Sequence, residues 1–146
     1  MRTSTVGALL ATACLLAACT PPASAAVTQC QGGISERSCT VKVERFEQPA
    51  STTFRSSSSN LGLDVQGSFT VRSGSATVAI RGAEGVVSEV TVTPEQPAEI
   101  TANTRLQRGN RSRDEDPFFT LQLRPNGVVE GLSGTVHYQA RSQSQR

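Results

Sequence analysis

Tryptophan is absent from this chain, and tyrosine, histidine, lysine and methionine occur once each, three of them as Tyr138, His137 and Lys42. The shortage of aromatic rings and of histidine each counts against a class of function. A surface that stacks sugars on exposed aromatic rings needs rings that are not here. A single histidine cannot form the H-E-x-x-H pair of a zinc peptidase, and no G-x-S-x-G nucleophile elbow occurs. The cysteines show no C-x-x-C spacing, and no second cysteine pair or nearby histidine completes a metal set. Glycines lie at turn positions, not ahead of a helix, as a phosphate loop would require. The formal charge is only +2, and no basic face of the kind that holds nucleic acid is visible. Thirteen arginines accompany the one lysine, an imbalance whose plain cause is codon bias in a GC-rich genome. No apolar run approaches the roughly 20 residues of a membrane-spanning helix.

What is present begins at the N-terminus. Arg2 precedes an apolar run over residues 6–18, followed by small residues, the layout of a secretory signal. The run closes on Leu16-Ala17-Ala18-Cys19. These four residues resemble the lipobox of bacterial lipoproteins, in which leucine and two small residues precede a cysteine. The resemblance covers residues 1–19. It implies that a diacylglyceryl group is added to the Cys19 thiol, that residues 1–18 are removed, and that the new amino terminus is acylated, palmitate being a typical chain. Two or more acyl chains hold a protein stably at a membrane where one does so only marginally. Residues 19–28, with Pro21, Pro22 and several alanines and serines, would then be the lipidated cysteine and a flexible tether. Thr20 stands where the family's inner-membrane retention signal has Asp, which favours the outer membrane in a host with two. The competing reading is ordinary cleavage after Ala23-Ser24-Ala25, releasing a secreted chain that starts at Ala26.

Removing the signal leaves roughly 130 residues, enough for one domain and not two. Cys14 leaves with the signal. Cys30 and Cys39 remain, separated by a segment containing Gly32-Gly33, and an exported domain meets an oxidising compartment. A disulfide between them is expected to contribute roughly 2–3 kcal/mol through chain entropy.

From Thr40 the apolar pattern has period two almost throughout, with no helical stretch. Val41 and Val43, then Leu61, Leu63 and Val65, then Phe69 and Val71 alternate with polar residues. So do Ala76, Val78 and Ile80, then Val90 and Val92. The alternation resumes from Ile100 to Leu106, through Phe119, Leu121 and Leu123, and through Leu132, Val136 and Tyr138. Turns are expected at residues 47–51, 56–60, 72–75, 82–85, 94–97 and 125–127, and residues 142–146 read as a frayed tail. Gly131 and Gly134 suggest a bulge or a close backbone approach. The expected fold is all-β: one antiparallel sandwich of seven or eight strands over residues 29–141. The segment 67–85 bears a weak resemblance to GOLD-like and other immunoglobulin-like sandwiches, in which a hairpin of this kind is followed by a glycine turn. It implies no functional residue. Lys42 is the single lysine available to protect a sheet edge.

Chemistry is sparse. His137 is expected to point away from Val136 and Tyr138, toward solvent. Residues 107–116 form a charged loop in which Arg111, Arg113, Asp114, Glu115 and Asp116 neutralise one another. The acids lack the spacing of a calcium loop. The functional alternative is a partner-binding loop on a rigid scaffold. Asn110-Arg111-Ser112 matches a glycosylation acceptor only formally. The sequence therefore points to a non-enzymatic envelope protein without cofactor or metal. It would be membrane-held through lipid and would bind an envelope protein or polymer, not nucleic acid. The alternatives are a secreted adhesion or inhibitor domain and an envelope hydrolase using His137 or residues 114–116.

Overall fold

Along residues 39–46 the buried side chains Cys39, Val41, Val43 and Phe46 are separated by the exposed Lys42, Glu44 and Arg45. That alternation makes a half-buried strand, and it recurs down the chain. A computed structural model describes residues 27–33, 35–56, 62–109 and 116–141. It contains eight strands: β1 (Val27–Gly32), β2 (Glu36–Phe46), β3 (Ala50–Arg55), β4 (Gly62–Thr70), β5 (Ser73–Gly82), β6 (Gly85–Val92), β7 (Ala98–Arg105) and β8 (Phe118–Ala140). All pairings are antiparallel. Among the described residues no helix is long and apolar enough to cross a membrane.

The spine is β8, 23 residues long. Strands β2 and β3 follow one another along one side of it, and β4 and β5 along the other. This three-ply ribbon creases at one level. Pro49 lies between β2 and β3, Gly74 opens β5 with φ 83°, and β8 carries Gly127 (φ 81°) and Gly131 (φ 64°). The register shows that β8 holds the extra residues. Ser73 faces Glu130 while Ser75 faces Asn126, so Gly74 alone opposes a bulged stretch of β8. A side chain on Gly74 would overlap the Val128 carbonyl. The crease divides the eight-stranded sheet into a five-stranded half, in the order β1-β2-β8-β4-β7, and a four-stranded half, β3-β8-β5-β6. Strands that switch sheets at bulges are one way to build the corner of a sandwich.

The apolar faces of the halves meet inside. Phe54 of β3 stacks on Phe119 of β8 at 5.0 Å between centroids, and Tyr138, from the other half of β8, meets both rings edge-on. The Tyr138 hydroxyl donates to the Arg55 carbonyl at 3.2 Å. Burial pushes the Tyr138 phenol above its ordinary value, an effect partly offset by the Arg37 guanidinium. Gly134 and Gly67 make room for Phe69, whose ring a Cβ at either position would strike. The close approach expected at Gly134 is thus a glycine covered by a ring from the neighbouring strand.

Three sequence expectations change. Residues 72–75 do not form a hairpin, because β4 and β5 both pair with β8 and not with each other. The same holds for the hairpin carried by the immunoglobulin-like resemblance; the hairpin in that segment is β5–β6, with Ala83 and Glu84 at its tip and Gly85 at φ 98°. Residues 125–127 do not end a strand. Pro125 and Asn126 stay in the ladder opposite Ala76 and Ser75, and β8 continues beyond them through the bulge at 127–129. Lys42 protects no edge, since β2 lies between β1 and β8.

Candidate functional site

The five-stranded half turns its outer face to solvent, and the strand register brings distant parts of the chain into rows across it. One row runs Gln31, Ser38, His137, Gln66, Thr101, taking one residue from each strand in order. The adjacent row runs Gln29, Thr40, Thr135, Ser68, Glu99. On the other side lie Glu36, Gln139, Asp64 and Asn103. Alternation dictates this: the partners one residue away, including Cys39, Val65, Ile100 and Val136, are buried beneath. The face is a carpet of amides and hydroxyls with few charges.

His137 stands at the centre of its row, as a solvent-facing residue opposite in direction to Val136 and Tyr138. Its side chain is 41% exposed and its Nε2 lies 3.2 Å from Glu36 Oε1. Shallow depressions flank it. One, about 440 Å³, is lined by the β1–β2 turn with Glu36, Arg37 and Ser38. The other, about 380 Å³, lies over Gly67, among Gln66, Ser68, Glu99, Thr101 and Thr135. Both border on His137. Beyond the row, Asp64 accepts from Asn103 Nδ2 at 2.8 Å and pairs with Arg141 Nε at 3.1 Å, and Arg141 also reaches the Asn103 amide oxygen. These exposed pairs orient side chains and add little stability.

Cys30 and Cys39 form a disulfide across directly opposed positions of β1 and β2. The segment between them is itself mostly paired strand, so the bond fastens the edge strand β1 to the body of the sheet. β1 takes in Val27 and Thr28, the last residues of the segment 19–28. Cys19 lies outside the described residues, as do Arg111, Arg113, Asp114 and Glu115. Asp116 is described and exposed, and its carbonyl accepts from Arg55 at 3.2 Å. The base of that loop is pinned by reciprocal backbone bonds between Gln107 and Phe118, at 2.7 and 2.9 Å. Among the described residues no three His, Cys, Asp or Glu side chains converge as a metal set.

Of the row residues, only His137 stood out from sequence. Gln31, Ser38, Gln66, Thr101 and Thr135 carry no motif. Their alternation marks them as outward-facing, but their adjacency depends on strand order.

No protein-family model and no curated protein matches the chain. Two solved structures are similar in part. The C-terminal CBM6 of LamC, a marine laminarinase from Zobellia galactanivorans, shares 11% identity over 74% of this chain and 87% of its own, with a TM-score of 0.26. The N-terminal cellulose-binding domain of β-1,4-glucanase C from Cellulomonas fimi shares 12% identity over 82% of this chain and 81% of its own, with a TM-score of 0.29. Likeness at this level assigns no ligand.

Proposed function

We propose that this chain is a lipid-anchored, non-enzymatic binding protein of the cell envelope, and that it engages an envelope polymer through the outer face of its five-stranded half. The observation that carries the binding reading is the register-aligned polar face around His137. An array of side chains that each donate and accept hydrogen bonds suits a partner rich in the same groups. The surroundings of His137 argue against the hydrolase reading. Its carboxylate partner Glu36 is exposed, and the depressions on either side are open, so the described residues build no enclosed site around it. The anchor reading is supported by Leu16-Ala17-Ala18-Cys19 and the signal layout before it.

Two experiments test the two halves of this reading. The first is the intact mass of the protein purified from its own host. A chain from Cys19 carrying acyl groups supports the anchor; a lipid-free chain from Ala26 replaces it with secretion. The second is co-sedimentation of the protein with isolated envelope polymer. Sedimentation that is abolished by substitutions on this face is expected, and failure to sediment overturns the binding reading.

A further inference from the structure

Both depressions on the outer face border the same residue, His137, and lie on opposite sides of it across the strands. They are joined by the row from Gln31 on β1 to Thr101 on β7. At a strand spacing of about 4.8 Å, five strands make this row about 19 Å long, room for several monosaccharide units. We propose that the row is a track for a linear, uncharged, polyhydroxylated chain laid across the strands, with His137 at its midpoint. This rests on the reading of the face as a polymer-binding surface and names the ligand class and its path.

Three observations support that occupant. Gln31, Ser38, Gln66 and Thr101 are exposed, and their amides and hydroxyls can each donate and accept, matching sugar hydroxyls. The depressions are shallow, which fits a chain lying flat and not an engulfed small molecule. The charges beside the track select against an anionic chain. Glu36 from β2 borders one depression and Glu99 from β7 the other, and the one permanent cation lining either of them is Arg37. With no aromatic platform in the row, binding is weak per unit, and it gains strength only along the polymer's length.

The test uses the full chain purified in detergent, run in native gels cast with a soluble neutral glucan or with polygalacturonate. The neutral polymer is expected to retard the protein, and the retardation to persist in high salt. Gln66→Ala and, separately, Thr101→Ala should each weaken it about fivefold, the loss of one neutral hydrogen bond. Thr70→Ala, on the same face off the row, should leave it unchanged, with circular dichroism verifying every fold. Retardation that ignores the row variants overturns the track while leaving polymer binding to another surface, such as residues 107–116. Preferential retardation by polygalacturonate also overturns it. Failure to respond to any neutral glucan overturns the proposed ligand class, and co-sedimentation with isolated envelope polymer then decides whether the binding reading survives.

Discussion

Phe119 and Tyr138 lie near opposite ends of the same 23-residue strand, yet their rings meet edge to face at 5.2 Å. A straight strand would hold them roughly 60 Å apart. Their contact is the direct consequence of the crease: β8 leaves one half of the sandwich at Gly127 and enters the other, so its own two ends face each other across the core.

That contact ties both halves together, so truncating it should be costly. Phe119→Ala is expected to destabilise the domain by about 3–5 kcal/mol, since Phe119 is fully buried against rings from both halves. Tyr138→Phe keeps the packing and removes one hydrogen bond, for about 1 kcal/mol. Urea unfolding measures both. Equal losses from the two substitutions would mean that the ring cluster does not hold the halves together.

Tyr138 also makes the domain sensitive to alkali. Burial raises its phenol pKa above the ordinary tyrosine value, so the folded state holds its proton more tightly than the unfolded state. The stability from this group is fully present below about pH 10 and is lost as pH rises through the higher folded-state pKa. The chain has one tyrosine and no tryptophan, so phenolate absorbance reports this residue alone. The absorbance midpoint of the folded protein should lie above that of the urea-unfolded protein, and coincident midpoints would contradict the assignment.

Reducing the Cys30–Cys39 disulfide should act locally. Among the described residues β1 pairs only with β2, whereas β2 is held on its other side by β8. We expect a loss of about 2–3 kcal/mol in global stability. Amide exchange should quicken in Val27–Gly32 and stay slow in the β8-facing amides of β2. Uniform loss of protection would show instead that the whole five-stranded half depends on the bond.

Gly134→Ala should damage the core at the glycine where a close approach was expected. Its Cβ would drive into the Phe69 ring, and Phe69 is buried. Overpacking of this kind costs about 1–3 kcal/mol. Gly33→Ala is the control, because nothing stands within 4 Å of a Cβ there. A differential in thermal melting that favours the Gly134 variant would refute the close approach.

Much of the strand content was open to reading because it is local. The alternation through Val41 and Val43, or Ala76, Val78 and Ile80, depends only on side chains pointing to opposite faces in turn. The Cys30–Cys39 pair, the β5–β6 hairpin with its two glycines and the outward direction of His137 follow from the same short-range logic. The breaks at residues 47–51, 72–75 and 125–127 were equally visible, but their meaning was not. A proline or glycine reports that a strand is interrupted; it does not say whether the chain reverses or bends and continues along the same neighbour.

The amino-acid sequence by itself determined which residues face inward, where strands are interrupted and which cysteines are left to pair, because each is a matter of a few neighbouring residues. Only the tertiary structure decided that three interruptions form one crease, that the strand carrying Lys42 is not an edge, and that Gln31, Ser38, His137, Gln66 and Thr101 share a row. The reason is that strand order and register are set by the joint burial of many apolar side chains. Hydrogen bonds between strands reach across long stretches of chain and leave no local signature in the polar residues they bring together.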